Sequence, residues 1–235
     1  MKTVLITGAS RGIGKACAEA FAQAGYSVLI NYKSSEQKAR ELAIKLRNNG
    51  TDADIFGCDV SDPAEVSRMH DFCRERFGKI SVLVNNAGTS LHGLFTDMTD
   101  TQWQDVRKTL DGAVFCSREF IPDMLNRGGS IVNVSSIWGT VGGSCESGYS
   151  AAKAGITGLT KALSKELAPS GITVNCVSPG CIDTDMCAHL DKDELAQNTP
   201  LHRLGTPEEV AQAVLFLAEN RFITGQNLGV DGGFN

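Results

Sequence analysis

Runs of consecutive apolar residues recur along the chain, rich in Val and Ile: TVLITG, SVLINY, DADIFGCDV, ISVLVNNAG, GSIVNVSS, ITVNCVSPG and QNLGVDGG. A strand that is apolar on both faces is one covered on both sides, and each run ends in turn chemistry. Between the runs the spacing switches to the helical period, which predicts helices over residues 12–24, 36–49, 63–77, 100–127, 148–168 and 207–218. Strands of this kind alternating with helices predict an α/β fold with a doubly wound, mostly parallel sheet in a single domain, residues 1–235. Ligands of such sheets bind beyond the carboxyl ends of the strands. The stretch that leaves that edge after the sixth strand, about residues 181–205, lacks clear periodicity and reads either as a substrate lid or as a surface loop.

Composition narrows the partners. The chain has 235 residues, 42% of them hydrophobic, enough for one well-buried core. The formal net charge is −5 with both signs spread along the chain, so no basic stripe points to nucleic acid and no polybasic or amphipathic segment to a membrane. The eight cysteines show no C-x-x-C spacing, and most sit inside apolar runs as small core residues, which fits a reducing cytoplasm. No metal is expected. The first strand is expected to start within a few residues of the N-terminus, with no cleavable hydrophobic leader. A small molecule is the expected partner.

The turn TGASRGIG, joining the first strand to the first helix, holds Gly8, Ser10, Arg11, Gly12, Ile13 and Gly14. A glycine-rich strand-to-helix turn offers bare backbone N–H groups and the helix dipole to a pyrophosphate, or it is simply a tight turn that packs closely. At the end of the second strand an acidic residue would bond the adenosine ribose and repel a 2′-phosphate. The chain instead reads LINYKSSE, with Asn31 at the diagnostic place and Arg11, Lys33 and Ser34 offering groups suited to a phosphate, which favours NADP(H). Asp59 and Val60 of CDVSD and Asn86, Ala87 and Gly88 of NNAG fall on the same sheet edge, Asp59 placed to face the adenine. Asn85 reads equally as a site residue or as a buried structural one.

Taken together, TGASRGIG, NNAG, the serine pair of VSSIWG, YSAAK, VSPG and ITGQNLGVDGG resemble the short-chain dehydrogenase/reductases over essentially the whole chain. The resemblance implies a Rossmann domain with a seven-stranded parallel sheet. It makes Tyr149 the proton donor to a carbonyl oxygen and Lys153 the cation that lowers the phenol's pKa and holds the nicotinamide ribose. Ser136, thirteen residues before the tyrosine, would hold the substrate oxygen. Pro179, Gly180, Ile182 and Thr184 match the segment that carries the nicotinamide. The family's helical asparagine, in a pattern like N-L-x-G, is here Thr109 of TLDG, a shorter and differently forked group. Members commonly associate as dimers or tetramers, so a homo-oligomer is expected.

For the substrate, the general resemblance is to 3-oxoacyl-acyl-carrier-protein reductases, whose acidic carrier would need a basic patch. Arg118 and Arg127 are the candidates, while Ser170 stands where such reductases can carry a base. The run SSIWGTVGGSCESGY also resembles bacterial reductases of a 5-aminopentanone group on elongation factor P. Glu146, three residues before Tyr149, would pair with that substrate's ammonium or else point to solvent, with Trp138 and His92 as pocket walls or packing. A broad ketone or hydroxysteroid dehydrogenase, and a regulator that binds the cofactor without turnover, remain the other readings.

Overall fold

Most strands carry apolar residues to both faces, and the computed structural model, which describes residues 2–187 and 191–234, shows what covers them. The strands are β1 (Thr3–Ile6), β2 (Ser27–Tyr32), β3 (Ala53–Gly57), β4 (Val82–Asn85), β5 (Gly129–Val134), β6 (Ile172–Pro179) and β7 (Asn227–Val230). They form one seven-stranded sheet in the order β3-β2-β1-β4-β5-β6-β7, parallel at every pairing. The helices are α1 (Gly12–Gln23), α2 (Glu36–Asn48), α3 (Pro63–Phe77), α4 (Asp100–Met124), α5 (Trp138–Val141), α6 (Ser147–Leu167), α7 (Lys192–Asn198) and α8 (Pro207–Glu219).

The period of two divides the core. Val4, Ile6, Val28, Ile30, Val82 and Val84 pack against α1, α2 and α8, while Leu5, Leu29, Leu83 and Ile131 point to the other face and pack against α3, α4 and the end of α6. The strand order reverses between β1 and β4, so the turns after these two strands open a crevice at the sheet's carboxyl edge.

Several helix starts are specified by local chemistry. Asp62 caps α3 through the N–H groups of Ala64 and Glu65 with Pro63 following. Thr99 with Gln102 and Thr206 with Glu209 form capping boxes for α4 and α8. The expected helix over residues 100–127 stops at Met124: Leu125 leaves the helical region with ψ 138°, and Asn126 follows with a left-handed φ of 62°. The stretch 181–205 is not wholly irregular: Asp191 caps α7 through the N–H groups of Asp193 and Glu194. Seven residues are too few for a periodic signal. Residues 188–190 of that stretch lie outside the described residues. Helix α5 is a single turn that no spacing announced. Among the described residues no helix is long and apolar enough to cross a membrane.

Candidate active site

The turn after β1 is shaped by what it must approach. Gly8 holds φ +63° and Gly12 φ +54°, and a Cβ on Gly8 would stand 2.9 Å from the Cα of Ala87. At Gly14 a Cβ would lie 2.5 Å from both Asn86 Nδ2 and the Gly8 carbonyl oxygen, so the start of α1 is pressed onto the NNAG turn. Thr7 Oγ1 accepts the N–H groups of Asn86 and Ala87, both at 3.0 Å, and Asn86 Nδ2 donates to the carbonyls of Thr7 and Gly8 at 2.9 and 3.1 Å. Arg11, at the N-cap of α1, makes no side-chain cap. The first turn of α1 therefore offers its N–H groups beside a glycine surface, the donor set and close approach that a pyrophosphate needs. Gly14→Ala is expected to force backbone apart here, lowering the thermal unfolding midpoint by the equivalent of about 1–3 kcal/mol; an unchanged midpoint would mean the turn is looser than this packing.

Other residues assigned to this edge divide into those that face the crevice and those that brace it. Asn31 is 2% exposed and turned inward. Its Oδ1 accepts the Gly8 N–H at 3.2 Å, and its Nδ2 donates to the Phe56 and Cys58 carbonyls at 3.3 Å each. It ties the glycine turn to β2 and β3 rather than facing a ribose, a correction to its expected place. Ser10 is buried and Ile13 packs on the core, whereas Ser34 is exposed between β2 and α2. Val60 packs against α4, where a Cβ on Gly112 would come within 2.8 Å of it. Asp59 Oδ1 accepts from the N–H and hydroxyl of Ser61, and Lys33 Nζ stands 2.6 Å from Asp59 Oδ2. Although partial burial opposes it, these contacts hold the Asp59 carboxyl below its ordinary range. Asn85 is structural: buried, it donates to Ser117 Oγ and to Asn133 Oδ1, and Asn133 in turn donates to Thr160 Oγ1. That polar ladder joins α4, β4, β5 and α6.

Tyr149, Lys153 and Ser136 meet at the ends of β5 and α6. The helix places Tyr149 and Lys153 on one face, with the Lys153 ammonium 5.7 Å from the centre of the Tyr149 ring. All three are buried. Ser136 Oγ accepts the Trp138 N–H at 3.2 Å, which holds its hydroxyl beside the Tyr149 phenol. Burial pushes the Tyr149 phenol up to about 12; the neighbouring Ser136 hydroxyl works against that, while Glu146 and Cys187 add to it. Burial likewise pulls the Lys153 ammonium down to about 8. Lys153 Nζ donates to the Val134 carbonyl at 2.7 Å, which fixes it under the end of β5.

The surroundings hold this cluster in place. Thr109, 4% exposed, accepts the Thr89 N–H at 3.2 Å. A Cβ on Gly88 would meet Thr109 Cγ2 at 2.9 Å and Lys153 Nζ at 3.5 Å, so Gly88 is the spacer between them. Ser135 Oγ donates to the Lys153 carbonyl at 2.8 Å, and Gly139 of α5 lies so close that a Cβ would be 2.8 Å from that peptide. Neither residue was singled out from sequence, though Ser135 stands beside Ser136 in VSS. Pro179 ends β6, and the Gly180 N–H donates to Val230 at 3.0 Å. Ile182 is core and pairs with Gly205. The Thr184 methyl lies 3.5 Å from where a Gly12 Cβ would be, so the segment after β6 crosses over the glycine turn.

At the mouth, Glu146 is partly buried at the N-cap of α6. Burial pushes its carboxyl up, and His92, exposed on the loop after β4, opposes that shift. His92 lines a cavity of about 230 Å³ with Leu91, Met98, Gln102, Cys145 and Gly148. Trp138 meets Phe234 edge-on with ring centres 5.4 Å apart, a contact no motif foretold. Of the two arginines named for a basic patch, Arg118 lies on α4 with its guanidinium over the Phe115 ring, 5.3 Å from its centre. Arg127 precedes β5 at the opposite sheet edge, close to Ser170, since a Cβ on Gly128 would touch the Gly171 carbonyl at 2.9 Å.

A glycine turn opening the first helix of a parallel sheet, with a tyrosine, lysine and serine gathered along the same edge, defines a Rossmann-type NAD(P)-dependent oxidoreductase. The family described as Enoyl-(Acyl carrier protein) reductase matches residues 8–235. The 3-oxoacyl-[acyl-carrier-protein] reductase FabG of Staphylococcus aureus is 41% identical over 239 aligned residues, covering 99% of this chain and 97% of that protein. Two solved structures superpose closely. A blue fluorescent protein from a metagenomic library, in complex with NADPH, has a TM-score of 0.94 at 32% identity, covering 99% of this chain and 97% of that one. Acetoin dehydrogenase YohF from Salmonella typhimurium has 0.91 at 36%, covering 99% and 95%. The chain belongs to the short-chain dehydrogenase/reductase family.

Proposed function

We propose that this enzyme reduces the 3-oxo group of an acyl thioester, most simply one carried on acyl carrier protein, with NADPH. The observation that carries the reduction is the buried Ser136–Tyr149–Lys153 cluster beside the glycine turn, and the substrate class follows the 3-oxoacyl reductases to which the chain is similar. Gly8, Gly12, Gly14 and the bare first turn of α1 fit a pyrophosphate, and Pro179, Gly180, Ile182 and Thr184 are assigned to the nicotinamide.

When bound, NADPH supplies the hydride for the carbonyl carbon. Ser136 holds the carbonyl oxygen by hydrogen bonding, and Tyr149 gives its phenolic proton to that oxygen as negative charge develops. Lys153, charged below about pH 8, stabilises the phenolate left behind. Thr109 pins the loop at Thr89 and thereby the Gly88 spacer against Lys153. The described part of the segment after β6, which crosses the glycine turn at Thr184, serves as a lid. Ala151, Ala154 and Gly158 lie exposed along α6, a face open to a second copy of the chain.

A second reading has its own observation. The partly buried Glu146 at the α6 N-cap, held up by burial, suits a substrate ammonium, as in a 5-aminopentanone group on elongation factor P, better than an anionic carrier. The readings separate in one assay: NADPH oxidation with an acetoacetyl thioester, a crotonyl thioester and an aminoketone, each with wild type and Glu146→Gln. Acetoacetyl turnover insensitive to the substitution supports the first. Aminoketone turnover that falls about tenfold or more, the worth of a charge-assisted bond, replaces it with the second. Nucleotide binding without turnover of any substrate would leave the regulator.

A further inference from the structure

The recognition of the extra phosphate of NADPH, which rests on the reading above, falls to a residue outside every family motif. The sequence pairs Arg11 with Lys33 for this task. In the structure Lys33 is held by Asp59 at 2.6 Å, and Asp59 is itself fixed by Ser61. The cation that shares a target with Arg11 is Lys38, in the first turn of α2. Arg11 Nη1 lies 3.5 Å and Lys38 Nζ 3.4 Å from the same atom, Oδ2 of Asp185. Lys38 first, and Arg11 after it, hold the Asp185 carboxyl below its ordinary range.

Two cations from separate elements that converge on one oxygen make an anion site, and here a carboxylate of the chain itself fills it. Asp185 reaches the place from the segment that crosses the glycine turn, one residue beyond Thr184. All three side chains are more than half exposed, so both ion pairs are weak and exchange readily in water. A phosphate monoester carries close to two negative charges and three acceptor oxygens, and competes well against a single carboxylate. The two cannot share the site, because the same charge that draws the phosphate to Arg11 and Lys38 sets it against Asp185.

We propose that Arg11 and Lys38 form the clamp for the adenosine 2′-phosphate, and that Asp185 is their internal counter-ion, displaced when the phosphate enters. Lys38 then adds to the preference for NADPH over NADH and Asp185 subtracts from it. The test is calorimetric titration of the full chain with adenosine 2′,5′-bisphosphate and with adenosine 5′-monophosphate, for wild type, Lys38→Gln and Asp185→Asn. The expected result is a loss of about tenfold in bisphosphate affinity for Lys38→Gln, the scale of one charge-assisted bond, with the monophosphate changed by less than about twofold. Asp185→Asn is expected to tighten the bisphosphate by about threefold and leave the monophosphate alone. An equal loss for both nucleotides in Lys38→Gln, or no loss for either, would overturn the clamp while leaving the cofactor reading intact. Wild-type chain that binds neither nucleotide would overturn both.

Discussion

Tyr149→Phe is expected to slow carbonyl reduction by about three orders of magnitude, within the range for removing a general acid, and to leave NADPH affinity within about twofold. The phenol is the proton source, and only its hydroxyl is lost: the ring keeps its place on the buried face of α6. Ser136 keeps the Trp138 N–H, so the turn after β5 stays capped. Stopped-flow reduction together with nucleotide titration separates the two effects. Near-wild-type rates would remove Tyr149 from the chemistry, and a parallel loss of nucleotide affinity would mean that the hydroxyl holds the cofactor.

Lys153→Met should cost about a hundredfold or more in kcat/KM, because the charge that stabilises the phenolate goes with it. Stability is expected to move little. Burial disfavours the Lys153 ammonium, so exchange for an apolar side chain of similar length relieves a desolvation cost. The lost bond leaves the Val134 carbonyl without that partner, an opposing cost of about 1–3 kcal/mol. The wild-type pH profile carries the same signature. Lys153 loses its proton as pH rises through about 8, below its ordinary range, whereas Tyr149 keeps its own to about 12. Since kcat/KM reports groups of the free enzyme, it should be level below about pH 8 and fall above it. The alkaline limb should vanish in Lys153→Met. A wild-type profile flat to high pH would mean that the ammonium is dispensable.

Much of the fold was legible because the sheet is buried on both faces. Runs such as TVLITG and GSIVNVSS need apolar residues at consecutive positions only where helices cover both sides, and that pattern was plainest for β1, β2, β4, β5 and β6, whereas β3 and β7, at the two edges of the sheet, are less buried. Helices with a cap and several turns were equally plain, as Pro63 after Asp62 and Thr206 before Glu209 illustrate. Single-turn α5 and seven-residue α7 were not, since neither is long enough to repeat a period. At the site, motif residues on rigid elements came together as expected: Ser136 at the end of β5, Tyr149 and Lys153 on α6. What the sequence did not disclose depends on direction and long-range contact. Asn31 turns inward because it satisfies the Gly8 N–H. Phe234 reaches Trp138 from the far end of the chain. Lys38 and Asp185, separated by 147 residues, meet only because the segment after β6 folds back over the glycine turn.

The central claim is tested most directly by following NADPH absorbance and thioester product together, with purified chain and acetoacetyl-acyl carrier protein. The account predicts one 3-hydroxyacyl thioester formed for each NADPH consumed, and almost none of either with Tyr149→Phe. NADPH that binds but is never oxidised by this substrate, or oxidation that persists undiminished in Tyr149→Phe, would contradict it.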